Sequence, residues 1–130
     1  MSVLKRWLPV VVWSAVILMT SNDQFSSAHT GGWLREIFPS LPEFVNIAFR
    51  KLMHLTGYGI LGALAYRAAR TIPVAFAVVI LVACADEWHQ SLYASRGASP
   101  WDVLLDVVGA AIAIGLMMRV KQWRSKETQE

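Results

Sequence analysis

His54 stands four residues after Arg50 and four before Tyr58. On a helix, side chains at that spacing share a face, so a cation, an imidazole and a phenol would project one above another. Lys51 adds a second positive charge beside them. A second group, Asp86, Glu87 and Gln90, closes another apolar stretch, with Asp86 and Gln90 again on one helical face. Asp102 and Asp106 head a stripe that continues through Gly109 and Ala113, and Arg96 lies between the two acidic groups. These residue types can hold and process an anion. The planar forks of Arg50 and Arg96, with the Lys51 ammonium, suit phosphate oxygens. His54 can serve as nucleophile or general base, and an acid among Asp86, Glu87, Asp102 and Asp106 can orient it or protonate a leaving group. Tyr58 and Gln90 would add hydrogen bonds to a bound molecule. A metal variant would put one divalent ion on His54, Asp86 and Asp102. The chain has no compact HxxxH or HxxE pair, so metal-free chemistry ranks first and no cofactor is expected.

Long apolar segments must position these residues. Of the 130 residues 55% are hydrophobic and only 16% are charged, where a soluble domain carries about a quarter of its residues as charges. The charges are missing from several long stretches and crowd at their edges. A helix that crosses a bilayer needs roughly 20 mostly apolar residues. The fold class expected is therefore all-α: a polytopic membrane protein with four transmembrane helices, plus a short interfacial helix in the first outer loop. The spans fall at about 5–20, 52–69, 74–90 and 101–118, and 1–130 is one domain with no room for a soluble partner domain.

The first run follows Lys5 and Arg6. It has the form of a signal peptide with Ser26-Ser27-Ala28 as a cleavage site, or of a retained helix. The retained helix is preferred, because Ser21-Asn22-Asp23 ends the run well before that site. In the long connection that follows, Trp33, Leu34, Ile37 and Phe38 share one side, with Arg35 and Glu36 on the other. This pattern predicts the interfacial helix. Ser40-Leu41-Pro42-Glu43 has capping-box spacing with Pro42 in the first turn, which predicts a helix start near Leu41. The second span is rich in Gly57, Gly59, Gly62, Ala63 and Ala65, small residues that let helices approach closely in lipid. Thr71-Ile72-Pro73 predicts a tight turn, and 91–100, with Gly97, a loop.

Loop positives set the orientation. Lys5 and Arg6, Arg67 and Arg70, and Arg119, Lys121, Arg124 and Lys126 occupy the N-terminus, the second connection and the C-terminus. With four spans these lie on one side, the cytoplasmic one. The candidate residues on the second, third and fourth spans then meet at one depth on the outer face. Ionisable groups are expensive in lipid and tend to mark functional sites. The net charge of +3 does not read as a nucleic-acid interface, since no basic stripe with interleaved aromatics is present. Cys84 is the only cysteine, lies in an apolar run and reads as a small helix residue.

The motifs resemble those of the VanZ-like family. Arg50-Lys51, His54 and Tyr58 match its Asp-Lys-x-x-His-x-x-x-Tyr segment, with Arg50 standing where the family often has Asp. Asp86-Glu87 and Gln90 match its Asp-Glu-x-x-Gln segment. Arg96, Asp102, Asp106 and Gly109 match its Arg and Asp-x-x-x-(Asp/Asn)-x-x-Gly segment. Order and spacing agree from Arg50 to Gly115, about half the chain. The resemblance implies a multi-pass protein of the bacterial cytoplasmic membrane and a link to reduced teicoplanin susceptibility. It supplies no reaction.

Three functions are compatible with these residues. The first is an enzyme, a lipid phosphate hydrolase, with membrane lipids as partners and a phosphorylated envelope lipid as substrate. In it Arg50, Lys51 and Arg96 hold the headgroup and His54 works with one of the acids. The second is a non-catalytic protein that binds an envelope lipid or a glycopeptide antibiotic. The third, a transporter or channel subunit, lacks an internal inverted repeat and a polar path through the midplane. Each side chain also has a plain structural role open to it. Arg50 and Lys51 can snorkel to headgroups. Asp86 and Asp102 can pair with Arg96 and Lys51 to lock the helices; Glu87 is about 100° around the helix from Asp86, so the two cannot point at one spot and one of them can be interfacial. Gly57, Gly62 and Gly109 read as packing positions, and Trp13 as an interface or lipid contact.

Overall fold

The computed structural model describes residues 2–21, 32, 36–38, 42–92 and 99–127. Among them are four long helices: α1 (Val3–Thr20), α2 (Glu43–Ala69), α3 (Ile72–Ser91) and α4 (Pro100–Glu127). The Ser2 hydroxyl caps α1 by accepting the Lys5 N–H at 3.5 Å. α2 starts at Glu43, two residues later than the capping-box spacing suggests, with Pro42 as its cap and no side-chain cap bond. Proline fixes φ but leaves ψ free, and at ψ 148° Pro42 is still extended. Ser40 and Leu41 lie outside the described residues, as do Trp33, Leu34 and Arg35 of the expected interfacial helix. Gly32, Glu36 and Ile37 have helical backbone, and Ile37 and Phe38 are exposed.

α2 ends where Arg70 turns left-handed, φ 62°, its N–H bonded to the Tyr66 carbonyl at 2.8 Å. Thr71 is extended, and α3 begins at Ile72 with Pro73 in its first turn, where a missing N–H is harmless. The turn is thus Arg70-Thr71, one residue earlier than expected. α4 does not stop near Met118; it continues through the basic segment to Glu127. Those residues are good helix formers, and Arg124 and Lys126 in the last turn complement the helix dipole.

α2 is the central helix. It packs most extensively on α4, and also on α3 and α1, while α3 contacts both α1 and α4. The two-residue connection makes α2 and α3 antiparallel. α2 and α4 run parallel and approach closely because their facing residues lack side-chain bulk. A Cβ on Gly62 would lie 2.7 Å from the Ala110 Cβ, one on Gly59 would lie 3.3 Å from the Gly109 carbonyl oxygen, and one on Gly109 would overlap the Leu55 carbonyl. Gly57 differs from the packing position expected of it: a Cβ there would meet nothing within 4 Å.

The buried interior is narrow and rich in small residues: Ala65, Ala68, Ala75, Ala83 and Ala110, with Tyr58, Leu61, Val79 and Ile114. The large apolar side chains face outward, among them Leu4, Val11, Met19, Leu81, Trp88 and Leu116. Lipid rather than water suits such a surface. α1, α3 and α4 are each long and apolar enough to cross a membrane, so this is a membrane protein. α2 reaches about 40 Å at ~1.5 Å per residue, but its exposed and half-buried polar residues keep it less apolar.

Candidate functional site

The candidate side chains meet at one end of the bundle, where α1 ends, α2 begins, α3 ends and α4 begins. Asp86 is the hub of this end and is 1% exposed. The Ser21 hydroxyl, just past α1, donates to its Oδ1. The Tyr58 hydroxyl from α2 and the Gln90 Nε2 from the next turn of α3 each donate to its Oδ2 at 3.1 Å. Gln90 Nε2 also lies 3.2 Å from the Ser21 Oγ. An ionised carboxylate only accepts hydrogen bonds, so three helices are joined through one set of acceptors.

A second pair lies on the α2–α4 side. His54 Nδ1 is 3.2 Å from Oδ1 of Asp106, which is fully buried. Asp106 Oδ2 is buried with no hydrogen-bond partner among the described residues. The His54 ring also stacks on Tyr58, the centroids 6.2 Å apart and the planes within 12°. With Nδ1 spent on Asp106, the other ring nitrogen, Nε2, is the one left to meet a ligand. Further toward the end, Lys51 Nζ pairs with Asp102 Oδ1 at 3.3 Å, both partly exposed. This is the structural lock that the sequence left open for Asp102.

Glu87 is not interfacial. It is 8% exposed, and its Oε2 accepts the Ser99 backbone N–H at 2.7 Å, just ahead of α4. A 100° step from Asp86 turns it away from α1 and toward the start of α4 rather than toward solvent. Arg96, expected to bind the anion, lies outside the described residues. Among the described residues no three His, Cys, Asp or Glu side chains are grouped to hold a metal ion. Of the trio suggested for one, His54, Asp86 and Asp102, each is engaged with a different partner.

A cleft of about 300 Å³ opens between α1 and α2. His54, Arg50, Tyr58, Asp86 and Ser21 line its polar end, and Trp13, Ile17, Met53 and Gly57 its apolar end. Two of these are residues that the sequence reading passed over. Ser21 read only as the stop after an apolar run; its place opposite Asp86 follows from α1 packing against α3. Trp13 is more than a lipid contact, for its indole N–H donates to the Gly57 carbonyl at 2.9 Å and ties α1 to α2.

The arrangement can bind an anion at Arg50 and present to it an imidazole oriented by a carboxylate. The family model VanZ/LLP1 matches residues 6–121. No curated protein and no solved structure matches the chain.

Proposed function

The chain belongs to the VanZ/LLP1 family, and from that premise we propose that it is a four-span protein of the bacterial cytoplasmic membrane that binds and hydrolyses a phosphorylated envelope lipid at its outward-facing polar end. The observation that carries this reading is the His54–Asp106 pair beside Arg50 on the cleft. Asp106 accepts the His54 Nδ1 proton and so fixes the tautomer in which Nε2 carries the free lone pair. Arg50 supplies the fork for the phosphate oxygens. Nε2 then removes a proton from water as its oxygen attacks phosphorus and the bond from phosphorus to the lipid oxygen breaks; the departing oxygen takes a proton from solvent water at the polar end, and the imidazolium returns its own to solvent. The apolar end of the cleft takes part of the lipid's hydrocarbon.

A second reading has its own support. Both oxygens of Asp86 accept hydrogen bonds, from Ser21, Tyr58 and Gln90, and Asp102 is paired with Lys51. Such groups hold helices together rather than react. On that reading the cleft binds an envelope lipid or a glycopeptide without turnover and modulates antibiotic susceptibility.

Phosphate release by the purified protein in nanodiscs separates the two. Phosphorylated phospholipids and isoprenoid phosphates would be offered with and without EDTA. Hydrolysis requires release that disappears in both His54→Ala and Asp106→Asn. Folded protein that retains one of these lipids and releases no phosphate would establish the binding reading instead.

A further inference from the structure

Gly57 is a glycine without a packing reason. Gly59, Gly62 and Gly109 each sit where a Cβ would press on the neighbouring helix, whereas a Cβ on Gly57 would meet nothing within 4 Å. Glycine is disfavoured in a helix interior, and here helix packing does not demand it. Gly57 instead lines the cleft between α1 and α2, and its carbonyl holds Trp13 against the opposite wall.

The cleft has a direction. Arg50, His54 and Gly57 lie along one face of α2, and Arg50 to Gly57 spans about 10 Å at ~1.5 Å per residue. Arg50 and His54 are at the polar end; Trp13, Ile17 and Gly57 are at the other. Met53 on the rim is 59% exposed on the apolar outer surface. A molecule lying in lipid can therefore enter from the side. At about 300 Å³ the cleft is at the small end of ligand sites.

We propose that the cleft is a slot for a single-chain amphiphile, its anionic head at Arg50 and His54 and its chain laid over Gly57, and that the missing side chain at Gly57 makes room for that chain while the small volume of the cleft leaves none for a second. This rests on the proposed function for the chemistry of the head and adds the class of the tail.

The test is binding to the full-length protein in nanodiscs, read by native mass spectrometry. The probes are methyl phosphate (head alone), dodecyl phosphate (one chain) and dipalmitoyl phosphatidic acid (two chains). Wild type is expected to hold dodecyl phosphate at least tenfold more tightly than phosphatidic acid. Gly57→Leu should weaken dodecyl phosphate at least tenfold and methyl phosphate at most twofold, since the latter has no chain to displace. Gly57→Ala, which adds one methyl in open space, makes the same test in a smaller step of about threefold should the leucine variant misfold. Arg50→Gln should weaken methyl phosphate and dodecyl phosphate alike. Equal affinity for one and two chains, or full affinity in both Gly57 variants alongside loss in Arg50→Gln, would overturn the slot while keeping the phosphate reading. Wild type that binds none of the three would remove the phosphate reading and the slot with it.

Discussion

A buried acid held by donors from three helices is poorly placed to take a proton from substrate, and that separates Asp86 from Asp106. Asp86 receives Ser21, Tyr58 and Gln90. Asp106 receives only His54 and keeps a buried oxygen unpartnered among the described residues. Tyr58→Phe therefore removes a donor from a buried carboxylate, which should destabilise the protein by about 1–3 kcal/mol. His54→Asn keeps an N–H donor for the buried Asp106, so it should leave the melting temperature nearer wild type and abolish phosphate release. Thermal unfolding in detergent, paired with the release assay, checks the split. A Tyr58→Phe protein of unchanged stability that no longer binds lipid would return Tyr58 to the substrate-binding role that its spacing first suggested. That spacing showed that His54 and Tyr58 share a face, and the structure has their rings stacked. It did not show which acid each would meet. That choice depends on how α3 and α4 are rotated against α2, and no local pattern encodes rotation. Ser21 was illegible for the same reason, since a hydroxyl after an apolar run looks like any helix end.

At the scale of elements, the α2–α4 contact is set by glycine. Gly109→Ala puts a methyl into the Leu55 carbonyl, and backbone cannot rotate away as a side chain can. The helices must separate, at a cost of about 1–3 kcal/mol. Gly115→Ala lies on the same helix, where a Cβ meets nothing within 4 Å, and should be neutral or slightly stabilising. Thermal unfolding of the two variants side by side tests this; equal effects would mean that helix propensity, not close approach, governs the interface. The helices themselves were plain from the apolar runs, and the small-residue stripes pointed to close packing. Their ends were less so. α4 runs past its apolar stretch because nothing in 119–127 breaks a helix, and hydropathy reports where lipid ends, not where hydrogen bonding does. Arg70 takes a left-handed turn that usually falls to glycine, so no residue type announced it.

For the whole molecule the number of membrane crossings turns on α2. α1, α3 and α4 are apolar enough to span, and α2, 27 residues long, packs against all of them. Ser21, Lys51, Asp86 and Asp102 are drawn to one end by their contacts. At that end α1 stops and α2 starts, so the two run in opposite directions, and α2 is expected to return the chain across the thickness that α1 crosses. Neighbouring helices partly shield Gly57 and His54 within its length. Of the twelve Lys and Arg in the chain, eight fall at the N-terminus, at the α2–α3 turn or after Met118, which the positive-inside rule puts in the cytoplasm. Four spans place both termini there; three would part them. Single cysteines at the exposed positions Val3 and Ser125, and at Ser91 near the polar end, decide it in a Cys84→Ser background. With a membrane-impermeant thiol reagent, Ser91→Cys should label in spheroplasts, and Val3→Cys and Ser125→Cys only in inverted vesicles. Labelling of Val3→Cys and Ser125→Cys from opposite sides would leave α2 lying at the surface, and the polar end would then have no fixed face toward which a lipid head could present.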